Sequence, residues 1–256
     1  HIIKGATILL TDHSIMEKQF WTFLRSQNAT SISGVPYTFS LLKKLKFFRM
    51  DLPRLKTLTQ AGGRLDNNLI LEFAKFCIGA KKKLIVMYGQ TEASPRMSYL
   101  PDSDIFEKLG SIGIAIPGGK FTLIDENGDL IKDENLEGEL IYEGRNVSLG
   151  YARCAKDLKN GDENKGILYT GDIAKRDRDG YYYIVGRKKR FIKLFGNRVN
   201  LDETEKLLKN IVQDCACLGK DDEMVIYTEE KNKNSDIKYY LSKKLGIHSS
   251  AFKTKY

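Results

Sequence analysis

Two kinds of segment alternate through the first hundred residues, and this alternation constrains the fold more than anything else in the chain. Short apolar runs bounded by glycine or proline read as strands: "ATILL" (Ala6 to Leu10), "ATSISG", "LKTLTQAGG" and "KKKLIVMYG". Between them, apolar residues recur at helical spacing. Ile15, Met16, Phe20, Phe23 and Leu24 share one face of Ile15 to Gln27, Pro36 opens a helix through "YTFSLLKKL", and Asn67 to Phe76 gives another. Strands and helices in turn predict an α/β fold around a mostly parallel sheet.

The signals change after Pro101. "GSIGIAIPGGKFTLIDENGDLI" and "EGELIYEGRNVSLGYA" carry frequent glycines and short β-rich runs. Hairpin turns are expected at Asn127-Gly128 and Asp179-Gly180. This stretch predicts an antiparallel sheet or a distorted, β-barrel-like subdomain. The charged "GRKKR" from Gly186 then interrupts the apolar pattern like a linker or hinge. Beyond it, "DETEKLLKNI" reads as a helix with Asp202 and Glu203 favouring its N-terminal end, and "EMVIYTEE" as a strand. The expected organisation is a partial large domain over 1–186, divided into an α/β part (1–108) and a β-rich part (109–186). An incomplete α+β lid follows over 187–256.

Composition removes several classes of function. No apolar stretch reaches the length of a membrane span, and no signal-peptide pattern opens the chain. Cys77, Cys154, Cys215 and Cys217 fit no zinc spacing and read as reduced thiols in a cytoplasmic setting. His1, His13 and His248 give a histidine-based triad or metal site little to work with. The net charge of +9, with basic residues outnumbering acidic ones from Arg187 onward, fits an anionic partner or simply a solvated surface. A nucleic-acid binder is a rival reading on charge, but no helix-turn-helix, zinc-finger or RNA-binding signature accompanies it. The opening "HIIKGATILL", without Met, reads as a chain already under way.

"MYGQTE" ends a strand of the α/β part, so Tyr88, Gln90, Thr91 and Glu92 project where open sheets bind ligands. Tyr88 has a flat face suited to stacking a base, an interaction of about 1–3 kcal/mol; a tyrosine filling the core is the plain alternative. Thr91 offers a hydroxyl to a phosphate oxygen, and Glu92 a hard carboxylate oxygen to Mg²⁺. Gly62 and Gly63 permit close backbone approach to a ligand, or simply make a turn. Asp172 after Gly171 presents two acceptors to a vicinal diol, and Arg187 a guanidinium fork.

Four stretches now line up: "YGQTE" (Tyr88 to Glu92), "GELIYEGRNVSLGY" (Gly138 to Tyr151), "YTGD" (Tyr169 to Asp172) and "GRKKRFIKLFGNRVNLDETE" (Gly186 to Glu205). With "GSIGIAIPGG" as a fifth, their order and spacing resemble the adenylate-forming superfamily of AMP-forming acyl-CoA synthetases, luciferases and peptide-synthetase adenylation domains. The resemblance implies a ligase using ATP and Mg²⁺ to convert a carboxylic acid to acyl-adenylate. CoA, or the phosphopantetheine of an acyl or peptidyl carrier protein, would then accept the acyl group.

The same resemblance implies the site roles. Thr91 and Glu92 are catalytic, with Glu92 on the metal. Gly62, Gly63, Tyr88, Gly89, Gln90, Asp172, Ile184, Arg187 and Lys193 bind the nucleotide and its partners. Lys189 falls at the hinge, and Lys193 and Gly196 lie on the lid face of the second half-reaction. Val35, Tyr37, Thr38 and Gly62 stand near the acyl pocket. Two elements of the pattern, a Ser/Thr/Gly-rich phosphate loop ending in Lys and a lid lysine, find no counterpart in residues 1–256. A fragment without catalytic activity of its own, or a non-catalytic nucleotide-binding relative, is therefore also expected.

Overall fold

The computed structural model describes residues 4–256. Helix α1 (Lys18–Ser26) precedes a five-stranded sheet ordered β1-β2-β3-β4-β5 (Ser31–Gly34, Thr57–Gln60, Lys83–Tyr88, Ser98–Leu100, Ile114–Ala115). β1, β2 and β3 are parallel, connected through α2 (Pro36–Lys44) and α3 (Asn67–Gly79), while β4 and β5 run antiparallel. The sheet is thus mixed. Pro36 occupies the first turn of α2, where its missing N–H is harmless. Phe39, Phe47 and Phe73 are almost wholly buried between helices and sheet, with the Phe39 and Phe73 rings edge to face at 4.9 Å.

One expected strand does not form. Ala6 to Leu10 takes no strand pairing, and Ile8 and Leu10 stand largely exposed. An apolar run becomes a strand only when a neighbour takes up its backbone hydrogen bonds, and among the described residues this segment has no ladder partner.

The β-rich stretch is a second sheet, β6-β7-β8-β9 (Gly119–Ile124, Glu137–Gly144, Ile167–Arg176, Tyr182–Arg187), antiparallel throughout. Among the described residues β6 and β9 do not pair with each other, so the sheet is open and not a closed barrel. Tyr142, Leu140 and Ala174 form its core with Phe121 and Tyr182, joined by Ala93 and Met97 from the first sheet's loops. Gly128 (φ +90) and Gly180 (φ +84) make the two expected turns.

The last part holds the hairpin β10 (Phe191–Leu194) and β11 (Asn197–Asn200), then α4 (Leu201–Leu208). Strands β12 (Cys215–Lys220) and β13 (Glu223–Thr228), α5 (Asn234–Leu245) and β14 (Phe252–Lys255) complete it. Leu194, Leu208, Cys217, Met224, Ile226, Ile237 and Leu241 form a separate buried core. All four cysteines are free, and burial pushes the Cys217 thiol up to about 12 and Cys77 up to about 11, which leaves both unreactive.

Asn200 joins this last part to the second sheet. Its Oδ1 caps α4 by accepting from Asp202 N and Glu203 N, while its Nδ2 donates to Val185 O at 3.1 Å. Val185 needs that donor because it is a bulged residue: Ile173 pairs with Gly186 and Ala174 with Ile184, leaving Val185 without a partner. Asn200→Ala removes the cap and strands a carbonyl, so a loss of about 2 kcal/mol is expected from the urea midpoint. Asn200→Ser keeps a capping oxygen and should lose less. Equal losses would show that the cap contributes nothing.

Candidate active site

The parallel strands end together, and the candidate residues gather at that edge. Gly34 is paired with Gln60, and Gln60 with Val86, so Val35-Pro36, Ala61 to Gly63 and Tyr88 to Glu92 leave the sheet side by side. Gly62 (φ +79) and Gly63 (φ +152) form a left-handed turn packed on Val35 and Pro36. Fully buried Gln60 supports the turn by donating from Nε2 to Gly63 O at 2.8 Å.

At Gly89 the chain leaves β3 so tightly that a Cβ there would lie 1.7 Å from Pro95 O. The loop that follows carries Thr91 and Glu92 on a single 3-10 turn, Thr91 exposed and Glu92 half-buried. It is clamped from the second sheet. Asn146 donates from Nδ2 to Ala93 O (2.6 Å) and Arg96 O (2.9 Å), and Ser148 N donates to Glu92 O (2.7 Å). Tyr151 donates its hydroxyl to Glu92 Oε1. This contact and the Arg187 charge hold the Glu92 carboxyl below the ordinary 4.5, the hydrogen bond being the larger cause.

Asp172 is the buried centre of the site. Between Tyr169, paired with Ile141, and Ile173, paired with Glu139, three residues of β8 stand opposite the single residue Leu140. Gly171 (φ +67) permits this bulge, and Thr170 fixes it, donating to Leu140 O (2.7 Å) and accepting from Asp172 N (3.1 Å). The re-aimed carboxylate accepts at Oδ2 from Tyr88 OH (2.6 Å) and Gln90 Nε2 (3.1 Å). Arg187 Nε lies 3.1 Å from Oδ1, its side chain 67% exposed against 4% for Asp172. Burial, with the Asp172 charge beside it, pushes the Tyr88 phenol far above the usual range and keeps it a donor.

Tyr88, Gly89, Gln90, Asp172 and Arg187 therefore come together, with Thr91 and Glu92 on the adjoining turn. Tyr88 serves both structure and site: its hydroxyl meets Asp172 while its ring leans on the Phe121 core at 6.3 Å between centroids. Ile184 packs against the second-sheet core. Lys193 lies exposed on β10 and makes none of these contacts. Sequence reasoning missed Tyr151, Asn146 and Thr170, although all three lie within stretches that carry the resemblance. A cleft of about 570 Å³ lined by Gly119, Glu143, Gly144, Arg145, Asp162 and Lys165 includes neither Tyr88 nor Asp172.

A strand-end ring at the edge of the first sheet, a half-buried glutamate on the turn beyond it and a buried carboxylate from the second sheet thus meet on an α/β scaffold. The chain belongs to the AMP-binding enzyme family, whose description matches residues 1–152. A long-chain-fatty-acid–CoA ligase from Salmonella typhimurium is 34% identical over 193 residues, covering 74% of this chain and 33% of that protein. The mitochondrial medium-chain acyl-CoA ligase of Rattus norvegicus is 30% identical over 230 residues, covering 87% and 37%. The chain thus spans about a third of the length of these two ligases. Unliganded o-succinylbenzoate coenzyme A synthetase from Bacillus subtilis shares the fold, with TM-score 0.75 and 20% identity over 99% of this chain and 55% of its own. That synthetase has also been solved with ATP and a magnesium ion, with TM-score 0.68.

Glu92 has its lowered carboxyl value in the folded state, so the contact stabilises fully above the ordinary glutamate range. That stability is lost as pH falls through the lowered value. Tyr151→Phe is expected to return the Glu92 carboxyl toward 4.5, read by NMR titration of the side-chain carbon. An unchanged titration would show that Tyr151 does not hold it.

Proposed function

We propose that the chain is part of an AMP-forming ligase that activates a carboxylic acid with Mg-ATP and passes the acyl group to a thiol. The observation that carries this reading is the convergence of Tyr88 and Glu92, at the edge of the first sheet, with Asp172 on β8 of the second. Asp172 would accept the ribose hydroxyls. Exposed Arg187 can turn from Oδ1 toward phosphate, while Tyr88 and Gln90 keep the carboxylate aimed. Gly62 and Gly63 leave room for the base beside Tyr88, and Thr91 offers its hydroxyl to a phosphate oxygen.

Glu92 fits Mg²⁺: it is ionised, partly solvated and an oxygen donor. No cluster of three metal-ligating side chains occurs among the described residues, which suits an ion that shares one carboxylate with substrate phosphates and water. When bound, the ion would supply Lewis-acid neutralisation of phosphate charge.

In the first half-reaction a carboxylate oxygen attacks the α-phosphorus and pyrophosphate leaves. In the second, a thiol attacks the acyl carbon and AMP leaves. This chain's residues would bind and orient these groups, so catalysis rests on positioning and preorganised charge. The thiol belongs to CoA or to the phosphopantetheine of a carrier protein, and the acid lies near Val35, Tyr37 and Thr38. Four unpaired cysteines suit a cytoplasmic enzyme.

The lid reading, with large domain to 186 and lid from 187, draws support from three adjacent cations. Lys188 Nζ lies 2.7 Å from Glu139 on β7. Arg190 instead bridges Asp202 and Glu205 on α4, and donates to Cys217 O. Lys189, exposed between them, makes no ion pair among the described residues and is the proposed pivot.

In the full-length enzyme, Asp172→Asn is expected to weaken ATP binding about 10- to 100-fold, as loss of a charged acceptor. Glu92→Gln should leave binding closer to wild type but slow ATP–pyrophosphate exchange about 100-fold. ATP affinity unchanged in Asp172→Asn would remove the ribose assignment. Lys189→Pro, with φ fixed, should slow thioester formation far more than pyrophosphate exchange. Equal slowing would move the pivot elsewhere.

A further inference from the structure

The cleft of about 570 Å³ on the second sheet includes neither Tyr88 nor Asp172, yet it backs onto the residues that clamp the Glu92 turn. Gly119 and Gly144, opposite each other on β6 and β7, both line it. Neither leaves space for a side chain of its own. A Cβ at Gly119 would collide with the Tyr142 hydroxyl, and one at Gly144 would lie 2.6 Å from Asn146 Oδ1. Tyr142, fully buried, donates that hydroxyl to Asn146 Oδ1 at 2.8 Å. One layer of glycine backbone therefore separates the cleft from Asn146, which holds Ala93 O and Arg96 O.

The segment after Gly144 serves both sides. Asn146 and Ser148 grip the Glu92 turn and its exit, while Arg145, Val147 and Leu149 line the cleft. A second wall comes from Asp162, Lys165 and Gly166, and Gly144 N donates to Gly166 O at 2.9 Å to join the two. Arg145 and Lys165 each stand one residue from this bond.

Lys165 is held there against its own preference. It has φ +51 beside Gly166 at φ +72, and Asp162 Oδ1 accepts from its N–H at 2.7 Å. A lysine in the left-handed region is uncommon, and such residues persist where surrounding groups impose them. Glu143, the other carboxylate of the cleft, stands across the ladder from Lys120. Arg145 and Lys165 are exposed, and neither forms an ion pair among the described residues.

These features select a class of ligand. A guanidinium fork suits two oxygens of one anion, and a phosphate brings a third oxygen and a second charge for the lysine. Val147 and Leu149 add an apolar side, and the volume falls in the range of small-molecule sites, about 300–1,000 Å³. We propose that the cleft binds a small phosphomonoester, its phosphate between Arg145 and Lys165, and that binding tightens the clamp on the Glu92 turn. A phosphate there ties the two walls across the Gly144–Gly166 bond and steadies the segment that carries Asn146 and Ser148.

In the full-length protein, calorimetric titration with phenyl phosphate is expected to show binding that weakens about tenfold in Arg145→Gln, the scale of one charge-assisted hydrogen bond. Lys165→Asn, which keeps a residue tolerant of the left-handed angle, should weaken it similarly. Arg187→Gln should leave it unchanged. The Ser148 amide, which donates to Glu92 O, should exchange its hydrogen more slowly with phenyl phosphate present, a slowing that Arg145→Gln abolishes. No binding at about 10 mM phenyl phosphate would overturn the proposal. So would binding kept in Arg145→Gln and lost in Arg187→Gln, which puts the anion at the nucleotide site. Binding that leaves Ser148 exchange unchanged would overturn the link to the Glu92 turn.

Discussion

A carboxylate with a side chain only 4% exposed needs partners, and the arrangement of this molecule follows from the ones Asp172 has. Tyr88 and Gln90 reach it from the end of the first sheet, and Arg187 from the last residue of β9. Removing a partner of a buried charge costs more than the contact itself contributes, because the charge remains. The two sheets are accordingly tied at one atom group, and the turn bearing Thr91 and Glu92 starts one residue beyond that tie. Asn146 and Ser148 then fix the far side of the turn from the second sheet.

Much of this was legible in the sequence, for reasons that differ by element. β2 and β3 could be read because both are apolar runs closed by glycine, and α2 because Pro36 marks its start. Tyr88, Asp172 and Arg187 could be proposed together because each sits in a short motif of chemically distinctive residues. Ala6 to Leu10 misled because composition records apolarity and not the presence of a ladder partner. Closure of the second sheet was equally out of reach, since it depends on a β6–β9 pairing that no local signal encodes. Tyr151 and Asn146 escaped because they act across more than fifty residues of chain, on Glu92 and Ala93.

Net charge says little by itself about the basic run at 188–190. In the Lys188–Glu139 contact the lysine side chain is 64% exposed and screened by solvent while that of the carboxylate is only 11% exposed, so the lysine's role is to cover Glu139 on β7. Arg190, only 25% exposed and shared between two carboxylates and a carbonyl, is different in kind. Adjacent cations of similar sequence character thus pair with different elements, Lys188 with β7 and Arg190 with α4.

The two bulges flanking Asp172 have a consequence for how the site is written in the chain. The bulge in β8 adds two residues against Leu140, and an even addition preserves which side chains face which way further along. The bulge at Val185 adds one, and an odd addition inverts the alternation before Arg187. Arithmetic, and not only chemistry, therefore sets Arg187 opposite Asp172. In a regular ladder running on from the Ala174–Ile184 pair, Gly186 and not Arg187 would stand opposite Asp172. The spelling of such a site includes its spacing, and a chain may keep all its letters while losing the word.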